Sequence, residues 1–166
     1  MFDGFHALLP VTGCLAIEVV SLKWRSARVF PDWTLPVVAL FGVLPDLCSP
    51  HISLQDRYDS WSHTLLFLVV MLPFCAGMTW WFPKGTRVRV AVAAWIAAAL
   101  HLVADAFSGG IPWLHPWSDK PIGDYHVQPE NWLFFDAGFI VLALLGWWLR
   151  NRLEVRAFER SLKDDS

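Results

Sequence analysis

Apolar residues in this chain gather into five long stretches, at Ala7–Leu22, Trp33–Leu47, Trp61–Phe82, Val88–Phe107 and Trp132–Leu149, with polar segments between them. The third and fourth are long enough to cross a hydrocarbon core of about 30 Å at 1.5 Å per residue. The first two are short, and the second holds Pro36 and Pro45. They are expected to tilt, thin the bilayer or enter it partway. The pattern predicts an all-α, polytopic membrane bundle of about five transmembrane helices. Residues 1–150 form the membrane domain and 151–166 a charged cytoplasmic tail.

Threading the stretches alternately through a bilayer sorts the polar residues by side. His6 opens the first stretch, Asp46 ends the second and His63 opens the third. His101 and Asp105 end the fourth, while Glu130 and Asp136 open the fifth. Imidazoles and carboxylates thus converge at one membrane face, as a metal site needs.

Composition agrees with a membrane setting. The chain is 55% hydrophobic and only 17% charged, with 11 Trp and a mean hydropathy of +0.42, whereas a soluble domain is about 25% charged. Lys23, Arg25 and Arg28, then Lys84, Arg87 and Arg89, then the basic residues from Arg150 to Lys163 all fall on the side away from the histidines. Only Arg57 and Lys120 lie opposite. The positive-inside rule makes the basic side cytoplasmic. The expectation is a multi-pass protein of the bacterial inner membrane, N-terminus periplasmic and C-terminus cytoplasmic.

MFDGFH lacks the basic start of a secretory signal, and VTGC, ending at Cys14 with few residues and Pro10 before it, is not expected to be a lipoprotein box. Cys14, Cys48 and Cys75 fall at scattered depths and imply no disulfide framework. The basic tail alternates with acids, so no nucleic-acid partner is expected.

HLVAD, from His101 to Asp105, places an imidazole and a carboxylate four residues apart, on one helix face. They can share a metal or make a structural hydrogen bond. Ionisable groups in a membrane segment cost at least about 2.5–3.5 kcal/mol for Asp by insertion scales, so they are rarely idle. Asp46 sits between Pro45 and Pro50, where it is either a ligand or a cap. In DSWSH, Trp61 suits an interface anchor, Ser62 a helix cap and His63 a ligand opposite His101. His6 is either a ligand or a solvated interfacial residue. The loop Ser108–Asn131 carries GGIPWLHPWSD and DYHVQPE, whose glycines, prolines and tryptophans suggest a shaped lid or substrate wall. His126, Glu130 and Asp136 are the candidate general acids or bases. Cys48, His51 and His115 are left open. Glu18, in the basic half, is expected to snorkel or to pair with Lys23.

LPD (Leu44–Asp46), SHTLLF (Ser62–Phe67), HLVAD and GGIPWLHPWSD (Gly109–Asp119) occur in the order of a bacterial family described as LexA-regulated inner-membrane metal-dependent hydrolases, which the chain resembles over nearly its whole length. The resemblance implies a polytopic hydrolase with His6, Asp46, His63, His101 and Asp105 as its metal-binding set. Where such members often read LPDxD and HRGxTHS, this chain has Cys48 and Tyr58. Either a ligand has been exchanged, since Cys binds zinc, or those positions lie one layer out. A more distant similarity links the order of His6, Asp46, His63, His101–Asp105, His115 and His126–Glu130 to zinc-dependent phospholipases C. Pro129 argues against His126 and Glu130 sharing a helix face.

The combined expectation is metal-assisted hydrolysis of a phosphoester or other ester, on a membrane lipid or lipid-linked substrate. Mixed His/carboxylate ligation points to Zn²⁺ ahead of Mn²⁺, as one to three ions. The alternative is a metal-binding membrane sensor or transporter without catalysis; a transporter would want ionisable residues along a midplane path. A third reading, a polar cluster that only braces helices, requires no metal.

Overall fold

The computed structural model describes residues 3–49, 58–124 and 126–164. Five helices carry the fold: α1 (Asp3–Arg25), α2 (Thr34–Cys48), α3 (Leu65–Met78), α4 (Arg87–Phe107) and α5 (Trp132–Asp164). Short 3₁₀ turns accompany them, among them Trp61–His63, Thr79–Trp81 and Pro129–Asn131. No strand occurs among the described residues beyond an isolated antiparallel bridge between Ile111 and Ile122. The fold is the all-α bundle expected.

By length and composition α1, α4 and α5 can each cross a membrane, whereas α2 and α3 are shorter apolar helices. Two expected boundaries move. The first helix is not short: it extends over polar residues at both ends to 23 residues. The third stretch is not one long helix. Thr64 adopts an extended conformation (φ −125°, ψ 162°), and its hydroxyl oxygen accepts from Phe67 N at 3.2 Å, so α3 starts only at Leu65. The 3₁₀ turn before it turns His63 into the bundle, where it is wholly buried.

The bundle is organised around α4. Its face Val90, Ala91, Ala94, Ala97 and Ala98 is buried, and the small side chains let neighbouring backbones approach closely. α2 and α3 pack on α4, and α1 packs on α2, α4 and α5. His101 and Asp105 continue the same buried face one and two turns further on. The helix therefore delivers both polar groups to the interior at one end of the bundle.

The opposite end is basic and tied down by charge. Arg28 donates to Asp32 at 2.6 Å, Arg150 pairs with Asp32 as well, and Glu154 lies 3.4 Å from Arg28. The two guanidinium groups, Arg28 foremost, hold the Asp32 carboxyl down at about 2. This cluster joins the α1–α2 loop to α5, which continues as helix through the charged tail to Asp164. Glu18 neither snorkels nor depends on Lys23. It is buried, and one carboxylate oxygen accepts the backbone N–H groups of Val29 and Phe30, which the loop folds back onto α1.

The long loop after α4 is pinned, as a wall would be. Ile111 and Ile122 exchange N–H···O bonds at 3.3 and 2.9 Å, and Leu65 N donates to Trp113 O at 2.9 Å. Gly123 (φ +127°) is required here, because a Cβ would run into the backbone carbonyl of Ala106.

Candidate metal centre

Three elements bring one ligand atom each, or two, to a single point. Asp46 comes from the last turn of α2, His63 from the turn before α3, and His101 and Asp105 from the last turns of α4. His63 Nε2 lies 3.1 Å from Asp46 Oδ1, 3.3 Å from Asp105 Oδ2 and 3.3 Å from His101 Nε2. His101 Nε2 lies 3.5 Å from Asp46 Oδ1 and 3.2 Å from Asp105 Oδ2. One atom from each of the four residues falls within 4.8 Å of all the others, a group that could hold a metal ion. Ligands at about 2.0–2.1 Å around a tetrahedral ion stand about 3.3–3.4 Å apart, whereas neighbours around an octahedral ion at that distance stand about 2.9–3.0 Å apart. Five of the six separations, at 3.1–3.5 Å, lie near the tetrahedral value, and the sixth, between the Asp46 and Asp105 oxygens, is within 4.8 Å.

Hydrogen bonding fixes which imidazole nitrogen faces the centre. His101 Nδ1 lies 2.7 Å from the carbonyl oxygen of Gly42. A carbonyl only accepts, so Nδ1 carries the proton and Nε2 presents its lone pair inward. His63 is set by a chain of three bonds. Ser62 donates its hydroxyl proton to Pro45 O at 2.6 Å. The Ser60–Ser62 contact of 2.8 Å must then be donated by Ser60, which leaves Ser60 as acceptor for His63 Nδ1–H at 2.9 Å. Both Nε2 lone pairs thus face each other across 3.3 Å. Two acceptors hold that separation only with positive charge between them, which a bound metal cation or a ring proton shared with the carboxylates supplies.

The four residues are not equally enclosed. The side chains of His63 and His101 are 0% exposed and Asp105 4%, whereas Asp46 keeps 18%. Asp46 marks the open side.

The remaining expected residues fall into layers. His6, buried at 2%, is not in the tetrahedral group. Its Nε2 lies 3.4 Å from the other oxygen of Asp105, and its ring stacks on His101 at 3.9 Å between centroids. It orients the carboxylate from behind, as outer partners of metal ligands do. Asp136 is buried on α5 beside Gly4, one turn from the His6 end of α1. His126 and Glu130 are exposed and stand outside the cluster. His126 rests its ring on Phe107 at 5.4 Å, and Glu130 sits in the 3₁₀ turn Pro129–Asn131. Pro129 opens that turn, so the two share no helix face. His115 pairs with Asp119 at 2.7 Å on the surface. Cys48 is exposed and outside the group. Tyr58 donates to Gly109 O at 2.8 Å, anchoring the loop. His51 lies outside the described residues.

Sequence reasoning missed Gly42, Ser60 and the true use of Ser62. Ser62 does not cap a helix, because α3 begins three residues later and Thr64 takes that place. Gly42 is needed for contact as well as for its carbonyl. Pro10 has no N–H to give His6 O, the carbonyl four residues before it. That oxygen lies against Gly42 of α2, where a Cβ would strike it and come within 3.1 Å of Pro10 Cγ.

A family model described as YdjM inner membrane protein matches residues 1–159, a span that contains every residue of the centre. The chain belongs to the YdjM inner membrane protein family. Searches of curated proteins and of solved structures found no match. Membership of YdjM agrees with the three helices long and apolar enough to span a bilayer.

Proposed function

We propose that this chain is a membrane-embedded, zinc-dependent hydrolase. It cleaves a phosphoester or other ester of a lipid or lipid-linked substrate at the periplasmic face of the inner membrane. The observation that carries this reading is the convergence of two buried imidazole nitrogens and two carboxylate oxygens within 4.8 Å of one another. Two carboxylates balance a divalent charge, and mixed N/O ligation at tetrahedral spacing suits Zn²⁺ better than octahedral Mg²⁺. Bound there, such an ion supplies Lewis acidity that acidifies water and polarises a phosphoryl or acyl oxygen.

The chain's own residues do the rest. The serine relay and Gly42 O hold both rings in the ligating tautomer without cost at the moment of reaction. His6 holds Asp105, so its second oxygen stays turned to the imidazoles. The partly exposed Asp46 leaves an approach for the scissile ester from the loop side. In this reading His126, exposed beside Phe107, or Glu130 would exchange protons with solvent, with the buried Asp136 as the further candidate acid or base. The distant parallel with zinc-dependent phospholipases C belongs to this proposal. An amphiphilic substrate suits the setting, because each buried methylene contributes about 0.8 kcal/mol toward holding it.

The test presents one ester on a long acyl or prenyl chain and the same head group on a short soluble alcohol. Chelator-sensitive turnover of the long-chain form, lost in His63→Ala and His101→Ala, is expected. Equal turnover of the soluble form would refute the lipid substrate. Metal bound without any hydrolysis would favour the second reading, a metal sensor, for which the near-complete burial of the cluster speaks. Orientation has its own test. Reporter fusions after Arg28 and at Lys84 should read cytoplasmic and one at Ile122 periplasmic; a cytoplasmic signal at Ile122 would put the centre on the wrong face.

A further inference from the structure

An apolar groove of about 390 Å³ runs between α1 and α4. Gly13 and Ile17 form one wall, and Val92 and Ile96 the other. Ile17, Val92 and Ile96 are each about half exposed, so the groove opens sideways to lipid. At the basic end its mouth is Arg89. At the other end it stops at Pro10 and Leu100, just short of the metal centre. From Arg89 to Leu100 the helix rises about 16 Å, close to half of a hydrocarbon core of about 30 Å. The groove therefore has the depth of one leaflet.

We propose that this groove binds an acyl chain of an anionic phospholipid from the leaflet on the basic side, with the lipid phosphate at Arg89. Charge complementarity selects that occupant. Arg28 and Arg150 at the same end are committed to Asp32 and Glu154. Arg89 has no carboxylate partner among the described residues, and its guanidinium makes one long bond, of 3.4 Å, to Val29 O. A neighbouring groove shares Ile17 and Val29 and ends at Trp24 and Arg25. It gives the second chain a place and the head group a second cation, with the exposed Trp24 at interface level. Because Leu100 adjoins His101 and Pro10 lies one turn from His6, a chain in the groove braces α1 against α4 directly beneath the centre.

Native mass spectrometry of the full-length protein, released from detergent with phosphatidylglycerol or phosphatidylcholine, tests this. Juxtamembrane arginines favour anionic lipid about five-fold each, so a preference of about five- to thirty-fold for phosphatidylglycerol is expected. Arg89→Gln should remove about five-fold of it and leave phosphatidylcholine retention unchanged. Gly13→Leu should abolish retention of both lipids. A Cβ at Gly13 meets nothing within 4 Å, so the larger side chain enters the groove and not a neighbouring helix. Equal retention of the two lipids by the parent protein would overturn the proposal. So would Arg89→Gln and Gly13→Leu proteins that hold phosphatidylglycerol as the parent does.

Discussion

His63→Ala and His101→Ala proteins will reach the membrane in normal amount and lose the bound metal. Each substitution removes one of four candidate ligand atoms that lie within 4.8 Å of one another, and none of the apolar surface that drives insertion. Loss of an outer partner of a metal ligand typically lowers affinity about 10–100-fold, so loss of a ligand should lower it by at least that much. His6→Ala and Ser60→Ala should stay within the 10–100-fold range. His6 reaches the far oxygen of Asp105 and stacks on the His101 ring, and Ser60 reaches Nδ1 of His63 and the Ser62 hydroxyl, so both support the group from outside it. The ordering is the informative part. Competition titration against a chromophoric chelator measures it, and a His6→Ala loss equal to that of His101→Ala would place His6 in the tetrahedron.

Gly42→Ala should damage the centre although no polar side chain changes. Helix propensity alone predicts the opposite, a gain of roughly 0.5–1 kcal/mol from replacing a mid-helix glycine. Packing decides the sign here. The new methyl would meet the carbonyl of His6, which is backbone and cannot swing away, and the Pro10 ring. Separating α1 from α2 to admit it costs about 1–3 kcal/mol, as overpacking generally does. It also shifts the carbonyl that holds His101 Nδ1–H. Thermal unfolding with and without chelator should show a lower midpoint and a smaller metal-dependent increment than the parent protein. A stabilised Gly42→Ala protein with full metal affinity would show that α1 and α2 do not touch there.

The parts of this architecture written in local spacing were legible before the structure. His101 and Asp105 lie four apart in an apolar helix, and alternation of five stretches brings Asp46 and His63 to the same end. The α4 face and the basic rim follow from the same periodicity and charge. What was not legible depends on contacts between distant segments. The acceptor for His101 lies 59 residues away in α2, and the Ser62 acceptor lies 17 residues away. A glycine in an apolar helix and two serines in a turn give no sign of such partners. Glu18 was misjudged for the same reason: Lys23 is near in sequence, but the loop returns two backbone N–H groups that satisfy one carboxylate oxygen. Pro129 already argued in the sequence against a shared helix face for His126 and Glu130, and the 3₁₀ turn it begins leaves both side chains at the surface.

The central claim is that Asp46, His63, His101 and Asp105 hold one divalent ion in a tetrahedral shell. Elemental analysis of the protein purified in mild detergent, combined with X-ray absorption at the metal edge, tests it most directly. The account predicts about one zinc per chain with four nitrogen and oxygen neighbours at about 2.0–2.1 Å and none at the 2.3 Å of a thiolate. Metal-free protein, metal retained unchanged in both His63→Ala and His101→Ala, or a sulfur neighbour supplied by a cysteine would contradict it.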